Sequence, residues 1–173
     1  FMKDGRSMGK YMVKFNLLTQ EFHFLGKDKA EMVVPNDIVR KIVVYDKNDT
    51  AVHKAVFVRT LDFTTTGGKP IGEYAEQLNS GNAILYKVSK KNVVTADSLF
   101  GTLKRYYFGT TDAYFVGMNG RVTQLKKLSD DFIFTALPAV GKLEDWARKN
   151  KINLKKEEGV LALLHQWNAS FKQ

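Results

Sequence analysis

Few side chains in this 173-residue chain could do chemistry, and their spacing assembles none of the common sites. The three histidines, His23, His53 and His165, stand apart, and none has a partner at metal-ligand spacing. There is no cysteine, which excludes disulfides, thiolate ligands and a cysteine nucleophile. Serines occur in "NSGNA" and "ADSLFG", but neither stretch is a nucleophile elbow. Carboxylates pair at Asp130-Asp131, Glu144-Asp145 and Glu157-Glu158. Each pair opens a predicted helix, where the helix dipole is reason enough for it. "TTTGGKP" (64–70) has a Gly-Gly-Lys, yet it lacks the phosphate-loop spacing and the Ser or Thr after Lys. It reads as a flexible loop. The expectation is a non-enzyme with no metal and no cofactor.

Binding chemistry is better represented. "KRYYFG" (104–109) sets basic residues before aromatics, a combination that tracks phosphates while stacking bases. The RNA-recognition signature is absent, however. On a strand, Tyr106 and Phe108 share one face, and Arg105 and Tyr107 the other. One row inside and one row in water is the expectation for a sheet packed on one side. The formal charge of +9 is uneven: residues 1–80 hold 12 Lys+Arg against 10 Asp+Glu, and residues 81–173 hold 15 against 8. Lys126, Lys127, Arg148, Lys149, Lys151, Lys155 and Lys156 flank the predicted helices and form a candidate anion-binding patch. Such a cluster attracts polyanions weakly and without reading sequence.

These residues need a scaffold, and two periodicities describe it. From residue 10 to about 126 the pattern is mostly period two, that of strands. "KYMVKFNLLTQEFHFLG" (10–26) places Tyr11, Val13, Phe15 and Leu17 on one face and Phe22 and Phe24 on the matching face of a partner strand. All six are expected to be buried wall. Further strands are expected at 30–34, 38–45, 52–61, 72–78 and 82–88. Residues 104–108 and 113–118 are expected to pair around a Gly109–Asp112 turn. Asn119-Gly120 is the strongest hairpin signal. From Leu128 the period becomes helical, with helices starting after Ser129 and at about 143 and 155. In the last, Val160, Leu164, Trp167 and Phe171 make one stripe. Gly159 within it should cost about 1 kcal/mol relative to Ala. Strands first and helices last argue α+β. The expected architecture is a mainly antiparallel sheet (meander, sandwich or open barrel) over residues 1–127. Two or three C-terminal helices (128–173) pack on it through Trp146 and Trp167. No apolar run reaches the ~18 residues of a membrane helix.

Residues 3–44 ("KDGRSMGKYMVKFNLLTQEFHFLGKDKAEMVVPNDIVRKIVV"), 74–92 and 143–168 ("LEDWARKNKINLKKEEGVLALLHQWN") resemble uncharacterised exported β-rich proteins of the Bacteroidetes type. That resemblance implies a signal peptide already removed and a place in the periplasm or cell envelope. It brings no catalytic motif. With no catalytic constellation in the sequence, the expected function in that compartment is non-enzymatic binding or scaffolding, with an envelope protein, glycan or lipid as partner. A basic polyanion- or nucleic-acid-binding module is the alternative. An enzyme whose residues meet only in three dimensions is the other.

Overall fold

A computed structural model describes residues 1–7, 9–35, 37–46, 48, 53–65, 73–97, 104–137 and 141–170. The architecture is α+β, as the segregated periodicities predict. A three-stranded antiparallel sheet is formed by β1 (Val13–Asn16), β2 (Glu21–Leu25) and β3 (Glu31–Val33). A larger sheet has the order β4-β5-β7-β8-β9-β10-β6. Its strands are β4 (Lys41–Tyr45), β5 (His53–Arg59), β6 (Thr64–Thr65), β7 (Tyr74–Gln77), β8 (Ala83–Asp97), β9 (Lys104–Met118) and β10 (Arg121–Leu125). All its neighbours are antiparallel except β6, which runs parallel to β10. Helices α1 (Asp130–Ala136), α2 (Gly141–Lys149) and α3 (Glu157–Ser170) follow.

The large sheet cannot be flat. Five inter-strand gaps separate β5 from β6, about 24 Å across a flat sheet. The chain bridges that distance with one 3₁₀ turn (Thr60–Asp62) and Phe63, a reach of about 17 Å at most. The sheet therefore curls into a half-barrel. Phe63 lies across its inner face, its ring 4.8 Å from that of Tyr86. Around it pack Ala75, Val88, Phe115 and Val122.

The opposite face is shared by two covers. Over β4, β5 and β7 lies the small sheet, whose Phe22 meets Phe15, Phe57 and Tyr74 in a ring cluster with centroids 4.4 to 5.1 Å from it. Over β8, β9 and β10 lie the helices, burying Leu85 and Val116 against Val160, Leu163, Leu164 and Trp167. The expected docking through Trp167 holds, with that residue 3% exposed. Trp146 is only half-buried against the same core.

Four local expectations need correction. Tyr11 and Val13 are exposed: Val13 is the first residue of β1, and Tyr11 lies before the strand, with its ring set edge-on against Phe24 at 5.2 Å. Of the six-residue wall, Phe22 is buried and Phe15, Leu17 and Phe24 are half-buried. Thr64 and Thr65 of the expected loop make β6, and residues 66–70 lie outside the described residues, as do Pro138 and Phe171. Ser129 stands at the N-cap of α1 but its hydroxyl makes no capping bond. Gly159 is more than a propensity cost, since a Cβ there would overlap the Asn153 carbonyl.

A candidate binding arm at the β8–β9 hairpin

The expected turn at Gly109–Asp112 does not exist. Strands β8 and β9 pair without a break over fifteen positions, from Ala83↔Met118 to Asp97↔Lys104. Within that register Asn92 faces Gly109, Lys91 faces Thr110, Lys90 faces Thr111 and Ser89 faces Asp112. Two threonines suit a pleated strand. The Asp112 carboxylate is used across the ladder, accepting the Ser89 hydroxyl at 2.6 Å, rather than in a local turn.

The two halves of this hairpin have different surroundings. From Ala83 to Lys87, β8 is flanked by β7 and β9, and β10 covers the far side of β9 as far as Tyr114. Beyond the Lys87–Tyr114 pair no further strand flanks the hairpin among the described residues. Two hydrogen bonds tether its base to the small sheet: Lys91 N–H donates to the Leu17 carbonyl at 3.0 Å, and Gln20 Nε2 to the Ser89 carbonyl at 2.9 Å. Past Lys91 the hairpin is a two-stranded ribbon.

That ribbon carries the residues of "KRYYFG", and the expected inside row is not inside. Tyr106, Tyr107 and Phe108 are 68%, 53% and 64% exposed. The covering helices reach only the near half of β9, so strand alternation has no core to sort residues into. Alternation still assigns faces. Tyr106, Phe108 and the exposed Val93 share one, with Lys91 and Lys104 at its two ends. Tyr107 lies on the other, with Lys90 and Arg105 at its two ends. The Lys91 ammonium sits 5.8 Å from the centre of the Phe108 ring. An unbroken run of three aromatics is the one sequence signal for this exposure, because a half-buried strand would interrupt it with polar residues.

At the base of the arm is a charged cluster that no local pattern foretells. Glu157, the first residue of α3, receives hydrogen bonds from Lys87 Nζ at 3.0 Å and Tyr114 Oη at 2.8 Å. Asp112 lies 3.5 Å from the same ammonium. Burial opposes the Lys87 charge, but the Glu157 hydrogen bond and the neighbouring anionic groups outweigh it and hold its pKa above the ordinary lysine value. Burial pushes the Tyr114 phenol and the nearby Glu76 carboxyl up. The cluster ties the start of α3 to the sheet.

The predicted anion-binding residues are all exposed. Lys126 and Lys127 follow β10. Arg148, Lys149 and Lys151 stand at the end of α2, and Lys155 and Lys156 precede α3. Arg148 lies 3.6 Å from Asp145. With Lys151 it lines a cleft of about 670 Å³ that also holds Asp131 and Glu144, so carboxylates dilute the positive field there. A second groove, about 450 Å³, lies between residues 9–13 and β4 and is mostly apolar. His23 points away from Phe22, as alternation predicts, with Nδ1 2.7 Å from Glu31. His165 is exposed, and the side chain of His53 lies outside the described residues. Among the described residues no three His, Asp or Glu side chains gather as a metal site, and no helix is long and apolar enough to cross a membrane. Asn168-Ala169-Ser170 has the Asn-X-Ser pattern of a glycosylation acceptor, but the Asn168 side chain is buried against β8. No protein-family model, curated protein or solved structure matches the chain.

Proposed function

We propose that this is a non-enzymatic binding protein of the bacterial cell envelope, and that the β8–β9 ribbon is its recognition element. The envelope assignment rests on the sequence resemblance. The observation that carries the rest is the trio Tyr106, Tyr107 and Phe108, exposed on both faces of a ribbon that no other strand flanks among the described residues. Apolar surface of this kind on a soluble protein marks a contact site. The half-barrel, the small sheet and the helices form the packed base that presents it. The titratable cluster nearest to it is spent on holding α3.

Sedimentation with a cell-envelope preparation tests this. The intact chain should pellet with the envelope fraction. A variant carrying Tyr106→Ser, Tyr107→Ser and Phe108→Ser should remain in solution with its helical circular dichroism unchanged. Equal pelleting of the two would remove the ribbon from the function.

A further inference from the structure

Within that reading of the ribbon, we infer that its counterpart is an anionic lipid interface, with the far halves of β8 and β9 lying among the headgroups. The rings occupy both faces, Tyr106 and Phe108 on one and Tyr107 on the other. A nucleic-acid strand or a glycan laid along one face would leave the other side's ring in water. A headgroup layer surrounds the ribbon and takes both. Two of the three rings are tyrosines, whose apolar body and polar tip suit the boundary between water and hydrocarbon.

Charge sets the depth. Each face has a cation at either end of its aromatic band: Lys91 and Lys104 on one, Lys90 and Arg105 on the other. All four are exposed; Asp97 stands across from Lys104 in the ladder and offsets that charge, which leaves Lys90, Lys91 and Arg105 to meet lipid phosphates. The pair nearer the tip opposes insertion into hydrocarbon. The backbone argues likewise. Past Lys91 neither edge of the ribbon has a neighbouring strand among the described residues, so its outward N–H and C=O groups need polar partners. Headgroups and water supply them; hydrocarbon does not.

Co-sedimentation of the intact chain with vesicles of phosphatidylcholine alone, or mixed with phosphatidylglycerol, tests the inference. Binding to the mixed vesicles is expected, with little binding to the neutral ones. The triple serine variant should bind the mixed vesicles at least about tenfold more weakly. Lys90→Gln with Lys91→Gln should weaken binding about 30-fold, since each cation near an anionic surface contributes about fivefold. All the changed side chains are exposed, and an unchanged melting temperature confirms the fold. Equal binding by intact chain and triple variant would overturn the inference, placing the contact on other lysines. Tight, ring-dependent binding of a single-stranded oligonucleotide without vesicles would overturn it in favour of nucleic acid. A ring-dependent dimer would overturn it in favour of a second copy. Ring-dependent pelleting with the envelope fraction, but none with pure lipid, would sink the lipid assignment and leave the ribbon as recognition element. Loss of both would sink the two together.

Discussion

Asn168, near the end of α3, binds the backbone of Ala83 as a second peptide group would. Its Oδ1 accepts the Ala83 N–H at 2.8 Å, and its Nδ2 donates to the Ala83 carbonyl at 2.9 Å. The same Nδ2 reaches the Ser80 carbonyl at 3.2 Å. The last helix thereby fixes where β8 begins. Gly81 makes room for it, since a Cβ at that position would come within 2.5 Å of the Asn168 amide. Asn168→Leu should leave the Ala83 N–H buried without a partner and cost about 2–3 kcal/mol. Urea unfolding monitored by circular dichroism measures this; an unchanged midpoint would mean that the pairing contributes nothing.

Trp167, one residue earlier, is buried at the centre of the helix–sheet core. Trp167→Ala should cost about 3–5 kcal/mol as a large-to-small change. Because the helices and the sheet share that core, near-ultraviolet and far-ultraviolet signals should be lost together on heating. A melting temperature equal to that of the unaltered chain would contradict the packing.

Tyr74 makes a contrasting prediction. Its side chain is 1% exposed, and its hydroxyl finds no partner among the described residues. Removing an unpaired buried hydroxyl relieves a desolvation cost, so Tyr74→Phe should be neutral or stabilising by up to about 1 kcal/mol at neutral pH. Burial also raises the Tyr74 pKa to about 12. The folded state then holds its proton more tightly than the unfolded state does. Stability is complete below about pH 10 and falls as pH rises from there to about 12. Tyr74→Phe should flatten that alkaline loss. Tyr86 and Tyr114, also raised, contribute in the same direction and remain in the variant. An identical pH profile for the two proteins would show that Tyr74 titrates normally.

The cations around α2 and the start of α3 should bind heparin weakly, with an affinity that falls steeply with salt, since such binding is mostly counterion release. Arg148→Gln should matter least, because Asp145 and the carboxylates of the adjoining cleft already offset that charge. Lys155→Gln with Lys156→Gln should lower retention on a heparin column more. The reverse order would show that the cleft, not the start of α3, meets the polyanion.

Much of this fold is legible in the residues. The Asn119-Gly120 hairpin signal is realised with φ of 51° and 76°, the left-handed pair that such a turn needs. The stripe Val160, Leu164 and Trp167 is buried as spaced. What the sequence hides is long-range. Gly109–Asp112 has turn-like composition, but fifteen cross-strand pairs override it. Gly159 and Gly81 look dispensable until Asn153 and Asn168 are placed against them. The residues of the ribbon were visible as a group, yet their exposure depends on where the helices stop. That is a property of the packed molecule and not of the strand itself.

The short parallel pairing of β6 with β10 governs the order in which the molecule can be assembled. Thr64 and Thr65 have their strand partners in Arg121 and Val122, far downstream. The curl of the sheet, with Phe63 laid across its inner face, is thus completed by one of the last strands made. Contacts of this separation carry a loop-closure cost that is met before they return anything, which slows folding. Until Arg121 and Val122 have emerged, the first half of the chain holds an unfinished edge. The half-barrel therefore closes late.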